Sequence, residues 1–179
     1  TPCDEKLNQP VYFENTDGSG KRWAPKNSGG EVGGKMTLKR GLATSTNLIT
    51  ASLMKEVGPH SVAEMAYRMG IKTQLEEVPS LALGTTDLSV LERTGAYCTF
   101  PNQGTSVEPT FISRIEDRYG NVLAEFTAKS QEALSPSKAY MMVELMRGVV
   151  DQPGGTAQRL RFRYNFDTEI GGKTGTTQN

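Results

Sequence analysis

Apolar residues recur at helical spacing through most of the chain and alternate in one short region, so the pattern predicts a mixed α/β fold weighted toward helix. Ile49, Leu53, Met54 and Val57 mark one face of a helix from about Leu48 to Val57, ended by Gly58. Val62, Met65, Ala66 and Met69 mark the next, Ser61 to Met69, stopped by Gly70. The strongest stripe is Ala139, Met142, Val143, Met146, Val149 and Val150, in a helix from Ser135 to Val150 with Ser135 as N-cap and Pro136 at the first helical position. Three further helices are expected. One runs from Leu38 to about Thr44 behind Thr37 as N-cap, one from about Leu88 to Phe100 capped by Thr86 or Asp87, and a short one from Thr156 to about Arg161. Thr110 to Ile115 and Val122 to Phe126, with a turn at Arg118 to Asn121, read as a β-hairpin. A last strand is expected from about Glu169 to Thr177.

These elements suggest a loop-rich lead-in over residues 1–36, a helical subdomain over 37–104, a hairpin over 109–126, and a helix returning to a strand over 135–179. Pro79 to Thr85 reads as a connecting loop. The methionines and aromatics follow the amphipathic stripes, which assigns them to core packing before any ligand pocket.

Composition narrows the function. Twenty basic and twenty acidic residues among 179 cancel, so no charge excess argues for nucleic acid or an anionic membrane surface. No apolar run reaches the roughly 18 residues of a membrane span. Cys3 and Cys98 are too few for a disulfide framework; Cys98 lies in an apolar stretch that suits a buried free thiol. His60 is the single histidine, which excludes a metal site built on several histidines and speaks against a Ser-His-Asp triad. Its setting between Pro59 and Ser61 reads as a turn feeding a helix. No cofactor is implied.

The chemistry concentrates in two short segments. Lys173-Thr174-Gly175-Thr176, preceded by Gly171-Gly172, is a K-T-G-T signature, and Ser45-Thr46-Asn47 is a serine-x-asparagine triplet in the break between two helices. By itself K-T-G also fits an ordinary edge strand. The surrounding sequence resembles the transpeptidase domain of class A penicillin-binding proteins in order and spacing. The likeness runs through Trp23-Ala24-Pro25-Lys26-Asn27, Gly33 to Leu38, Gly41 to Asn47, Glu56-Val57-Gly58, Tyr67 to Ile71, Pro79 to Thr85, Ile115-Glu116-Asp117, Gly120 to Leu123 and Met146 to Val150.

The resemblance implies the penicillin-binding and β-lactamase-like serine transferase fold, an antiparallel sheet with a helical subdomain. It implies a D,D-transpeptidase that cross-links peptidoglycan stem peptides ending in D-Ala-D-Ala and is acylated by β-lactams. Catalytic roles fall to Ser45 as proton relay, Asn47 as amide donor, Lys173 as a nearby positive charge and Thr176, whose backbone N–H is half of the oxyanion hole. Thr174, Gly175 and Thr176 would form the substrate wall, with the two hydroxyls on the substrate carboxylate. Strict strand alternation sets both threonines opposite Lys173, so these roles require a twisted strand bordering the cleft with its edge. The family further implies an upstream glycosyltransferase domain, a membrane anchor outside this chain, and the periplasmic or extracytoplasmic side of the cell envelope.

One family motif is missing from the 179 residues. The S-x-x-K that supplies nucleophile and lysine belongs before Ser45, and Thr1 to Thr44 contain none. Ser52-Leu53-Met54-Lys55 lies too close to Asn47 to form a separate wall, and Ser135-Pro136-Ser137-Lys138 reads as a helix start. A non-catalytic scaffold that kept its cleft and a serine β-lactamase therefore stand as alternatives. The isolated chain is expected to form no covalent adduct with a labelled penicillin on a denaturing gel. A stoichiometric adduct would contradict this and direct mutagenesis to Ser52 or Ser135.

Overall fold

The computed structural model describes residues 1–14 and 22–176. Its helices are α1 (Leu38–Ala43), α2 (Asn47–Val57), α3 (Pro59–Arg68), α4 (Val90–Cys98), α5 (Pro136–Asp151) and α6 (Arg159–Phe162), with a 3-10 turn at Pro79–Leu83. The strands are β1 (Glu5–Leu7), β2 (Lys35–Thr37), β3 (Thr105–Val107), β4 (Arg114–Glu116), β5 (Val122–Glu125) and β6 (Ser130–Glu132). They pair as three antiparallel two-stranded ladders, β1 with β2, β3 with β6 and β4 with β5. The chain forms two compact units, Thr1–Ala63 with Leu75–Asp87 and Tyr140–Asn179, and Glu64–Gln74 with Leu88–Ala139.

In the first unit β2 runs straight into α1, and Thr37 caps that helix as expected, its hydroxyl accepting from the Arg40 N–H at 3.2 Å. Gly41 lets α2 come close, since a Cβ there would lie 2.9 Å from Cγ2 of Ile49. Leu48, Ile49, Ala51 and Met54 of α2 and Met146, Val149 and Val150 of α5 are buried and form this unit's core. Each large side chain so buried contributes about 1.5–3 kcal/mol. Val57, expected in that core, is 53% exposed. It closes α2 beside a shallow depression shared with Val62, Leu81 and Ala82, where the 3-10 turn packs on the helix. His60 stands in the first turn of α3, exposed, with Nδ1 3.0 Å from Oε2 of Glu77.

In the second unit α4 begins later than expected, and its cap is Ser89 in place of Thr86 or Asp87. Ser89 and Glu92 form a capping box: the Ser89 hydroxyl accepts from the Glu92 N–H at 3.2 Å, and the Glu92 carboxylate from the Ser89 N–H at 3.3 Å. That carboxylate also accepts from the N–H groups of Lys72 at 3.0 Å and Thr73 at 2.8 Å, tying α4 to the segment after α3. Gly104 is sterically required, because its φ is 87° and a Cβ would lie 2.1 Å from the Leu134 carbonyl. The expected hairpin forms, with its turn held by Asp117, which accepts from the N–H groups of Tyr119 and Asn121. Cys98 is exposed, because Ala96 and Thr99 carry the buried side of this helix end; it and Cys3 are free thiols.

The expected strand from Glu169 does not form over its described part; Thr177 lies outside the described residues. A strand exists through its ladder, and no other described segment pairs with 169–176.

Glu92 generates a prediction. Hydrogen bonds from Ser89, then from Thr73 and Lys72, hold its pKa at about 2, against 4.5 ordinarily. A depressed carboxylate stabilises the fold fully above its unfolded pKa and loses that contribution as pH falls through the folded one. Urea unfolding followed by circular dichroism should therefore show stability declining between about pH 4.5 and 2. Glu92→Gln should flatten this decline; an equally steep decline in the variant would assign it elsewhere.

Candidate active site

The candidate site is built on the corner between α1 and α2. The N–H of Ser45 donates to the Leu42 carbonyl at 3.1 Å and that of Thr46 to the Gly41 carbonyl at 2.9 Å. This pair of bonds is a Schellman motif, and it places Ser45 where glycine is usually found. Ser45 accordingly has φ of 56°. A serine held in this left-handed region costs on the order of 1 kcal/mol or more, and such strain gathers at functional sites.

Asn47 opens α2 on the far side of the corner. Its side-chain N–H donates to the Lys26 carbonyl at 2.8 Å, and the neighbouring Asn27 side-chain oxygen accepts from the Leu48 N–H at 3.1 Å. Thr46, the N-cap, makes no side-chain capping bond, so Asn27 satisfies a helix donor from twenty-one residues away. The Trp23 to Asn27 segment thus acts as a brace for the triplet.

The second wall descends from α5. Gly171 packs on that helix, where a Cβ would lie 3.2 Å from the Arg147 nitrogen, and the Gly172 N–H donates to the Met146 carbonyl at 3.3 Å. Arg147 adds an ion pair to Glu169 at 3.3 Å. From this anchorage Lys173 donates through Nζ to Oγ of Ser45 at 2.8 Å, and to the Thr174 carbonyl at 2.8 Å. Residues 128 apart in sequence thereby meet in one hydrogen bond.

Lys173 is half-buried, and desolvation lowers its pKa below the usual 10.5. Its ammonium donates to the serine oxygen, which leaves the serine's own proton free to point elsewhere. The pair is chemically suited to passing a proton, because a charged donor stabilises negative charge developing on Oγ.

Thr174 is exposed, and its hydroxyl lies 2.7 Å from that of Thr156. Gly175 and Thr176 are exposed, and among the described residues no atom beyond its chain neighbours lies within 4 Å of a Cβ built at Gly175. The structure thus joins Lys173 to Ser45 and Thr174 to Thr156, turns the Asn47 side chain to Lys26, and leaves Gly175 and Thr176 exposed. Sequence reading missed Asn27 and Thr156; nothing in their local sequence marks a contact made across the fold. Ser52 lies within α2 and Ser135 at the start of α5, and among the described residues neither is hydrogen-bonded to Lys173.

A larger cavity of about 360 Å³ lies in the second unit, lined in part by Tyr67, Ile71, Lys72, Leu91, Val107 and Pro109. None of the motif residues lines it, and its rim charges Lys72 and Glu108 already pair at 2.5 Å. The motif corner is therefore the better candidate for chemistry. Among the described residues no group of three His, Cys, Asp or Glu side chains could hold a metal, and no helix is long and apolar enough to cross a membrane.

The fold has a solved counterpart. The crystal structure of penicillin-binding protein 1A from Haemophilus influenzae superposes with a TM-score of 0.86 and 26% identity, over 99% of this chain and 31% of that one. The architecture is therefore the penicillin-binding and β-lactamase-like serine transferase fold. Residues 3–179 match the penicillin binding protein transpeptidase domain model, and the chain belongs to that family. Penicillin-binding protein 1A of Aquifex aeolicus is 37% identical over 88% of the chain, and penicillin-binding protein 2D of Bacillus subtilis 34% over 99%. The chain spans 21% and 26% of the length of these two relatives.

The environment of Lys173 gives a direct test. A lysine whose folded pKa is depressed carries a penalty while protonated, and stability rises as pH climbs through the folded value toward 10.5. The Lys173 side-chain methylene resonance should titrate below 10.5, and Ser45→Ala should lower its midpoint further by removing the acceptor of the charged form. A midpoint at 10.5 in the unaltered protein would contradict this account.

Proposed function

We propose that this chain is part of a D,D-transpeptidase that cross-links peptidoglycan stem peptides by serine acyl transfer and is acylated by penicillin. The observation that carries the reading is the Lys173–Ser45 hydrogen bond, joining the two motifs through a desolvated ammonium. Acyl transfer needs a nucleophile, a proton path to the leaving amine, and donors aimed at the developing oxyanion. A serine and lysine outside these 179 residues supply the first. That serine's Oγ attacks the carbonyl of the penultimate D-alanine, and its proton reaches the departing D-alanine nitrogen through Ser45. Lys173 stabilises the negative charge that develops on the relay oxygen as the proton passes. Asn47 offers its amide to the substrate, exchanging its bond to Lys26 for one to the peptide.

The Thr176 N–H completes the oxyanion hole with a donor from the nucleophile's own segment, and Thr174 and Thr176 receive the terminal carboxylate. An amine of a second stem peptide then attacks the acyl-enzyme, and the nucleophile regains its proton. The work takes place at the extracytoplasmic face of the cell envelope, with membrane anchoring supplied by segments outside this chain.

In the complete gene product, acylation by a fluorescent penicillin should fall by about 100-fold or more in Ser45→Ala and in Lys173→Ala, the scale of lost acid–base assistance. Both variants should retain the parent unfolding midpoint within a few degrees, which separates chemistry from collapse. Unchanged acylation rates would remove the relay role; no acylation of the unaltered gene product would favour a binding scaffold, and rapid β-lactam turnover a β-lactamase.

A further inference from the structure

We infer that Thr156 is a positioning residue that orders the Thr174 hydroxyl for a substrate carboxylate, an inference resting on the carboxylate role given to Thr174 above. Thr156 is tied to both walls of the site. Its backbone N–H donates to the Ala43 carbonyl at 3.0 Å, at the end of α1 and two residues before Ser45. Its hydroxyl meets the Thr174 hydroxyl at 2.7 Å, beside Lys173. The turn carrying it has little freedom, because a Cβ on Gly155 would lie 2.4 Å from the Val149 carbonyl and the Ala157 N–H donates to that same carbonyl at 3.1 Å.

Two hydroxyls at this separation share one proton between their oxygens, and either can be the donor. If Thr174 donates, its proton is used up and a carboxylate meets only lone pairs. If Thr156 donates, the Thr174 proton is free to point outward. An arriving carboxylate selects the second arrangement and completes a chain in which Thr156 donates to Thr174 and Thr174 to the anion. Each bond in such a chain polarises the next. Thr156 can act as the donor because its hydroxyl has no other partner among the described residues. A neutral ester gains less, since the terminal bond is no longer charge-assisted.

The test compares acylation of the complete gene product by a penicillin with that by its methyl ester. The unaltered protein should prefer the acid. Thr156→Val keeps the backbone N–H and the branched shape but removes the hydroxyl, and should reduce that preference about five- to tenfold, the size expected for one partly exposed hydrogen bond. The loss should lie in the concentration dependence of acylation and leave the limiting rate nearly unchanged. Thr156→Ser should restore the preference.

In a Thr174→Val background, Thr156→Val should have no further effect on the acid-to-ester ratio, so that a general loss of fold cannot imitate the result. Equal slowing of acid and ester, or an independent effect in that background, would overturn the assignment to Thr156. An unaltered protein that does not prefer the acid would instead overturn the carboxylate role of Thr174, and the inference with it.

Discussion

A charged amine partly withdrawn from water must find an acceptor, and in this protein that acceptor is a serine forced into a conformation suited to glycine. The Lys173–Ser45 contact depends on two costs borne elsewhere in the fold. One is the strain of the Schellman corner, maintained by the backbone bonds of Ser45 and Thr46 and by the close approach that Gly41 permits. The other is desolvation of the ammonium, which follows a glycine pair tied to α5 by the Gly171 packing and the Gly172 N–H. Neither cost helps the chain fold. Together they place the Lys173 ammonium against the Ser45 hydroxyl, where neither motif could hold the contact alone.

Much of this was legible in the sequence. Periodicity located α2, α3 and α5 to within a few residues, and the two motifs singled out Ser45 and Lys173, which a hydrogen bond joins across the fold. What escaped shares a physical cause. Strands β3 and β6 have three residues each, too few for alternation to register, and pair across more than twenty positions. Asn27 and Thr156 act through bonds to distant backbone or side chains, a property no local window contains. Ser89 was legible through the glutamate three residues on, which forms a capping box that Thr86 and Asp87 cannot.

The K-T-G segment shows the limit of local propensity most clearly. Its sequence suits a strand, yet over 169–176 it carries no ladder. Side-chain alternation in a strand would set Lys173 against Thr174. With no pleat imposed, Lys173 reaches Ser45 while Thr174 reaches Thr156, and both contacts lie within one unit of the fold.

Helix α5 has a role that its buried stripe does not suggest. Gly172 is fixed at Met146, and the turn carrying Thr156 and reaching Ala43 is fixed at Val149. Both walls are thus referenced to points three residues apart on a single rod, where each residue advances about 1.5 Å and turns about 100°. The helix serves the site as a ruler. A residue gained or lost between those two marks would swing one wall around the axis relative to the other, so the length of this stretch is constrained by the spacing of the two walls as well as by the core it fills.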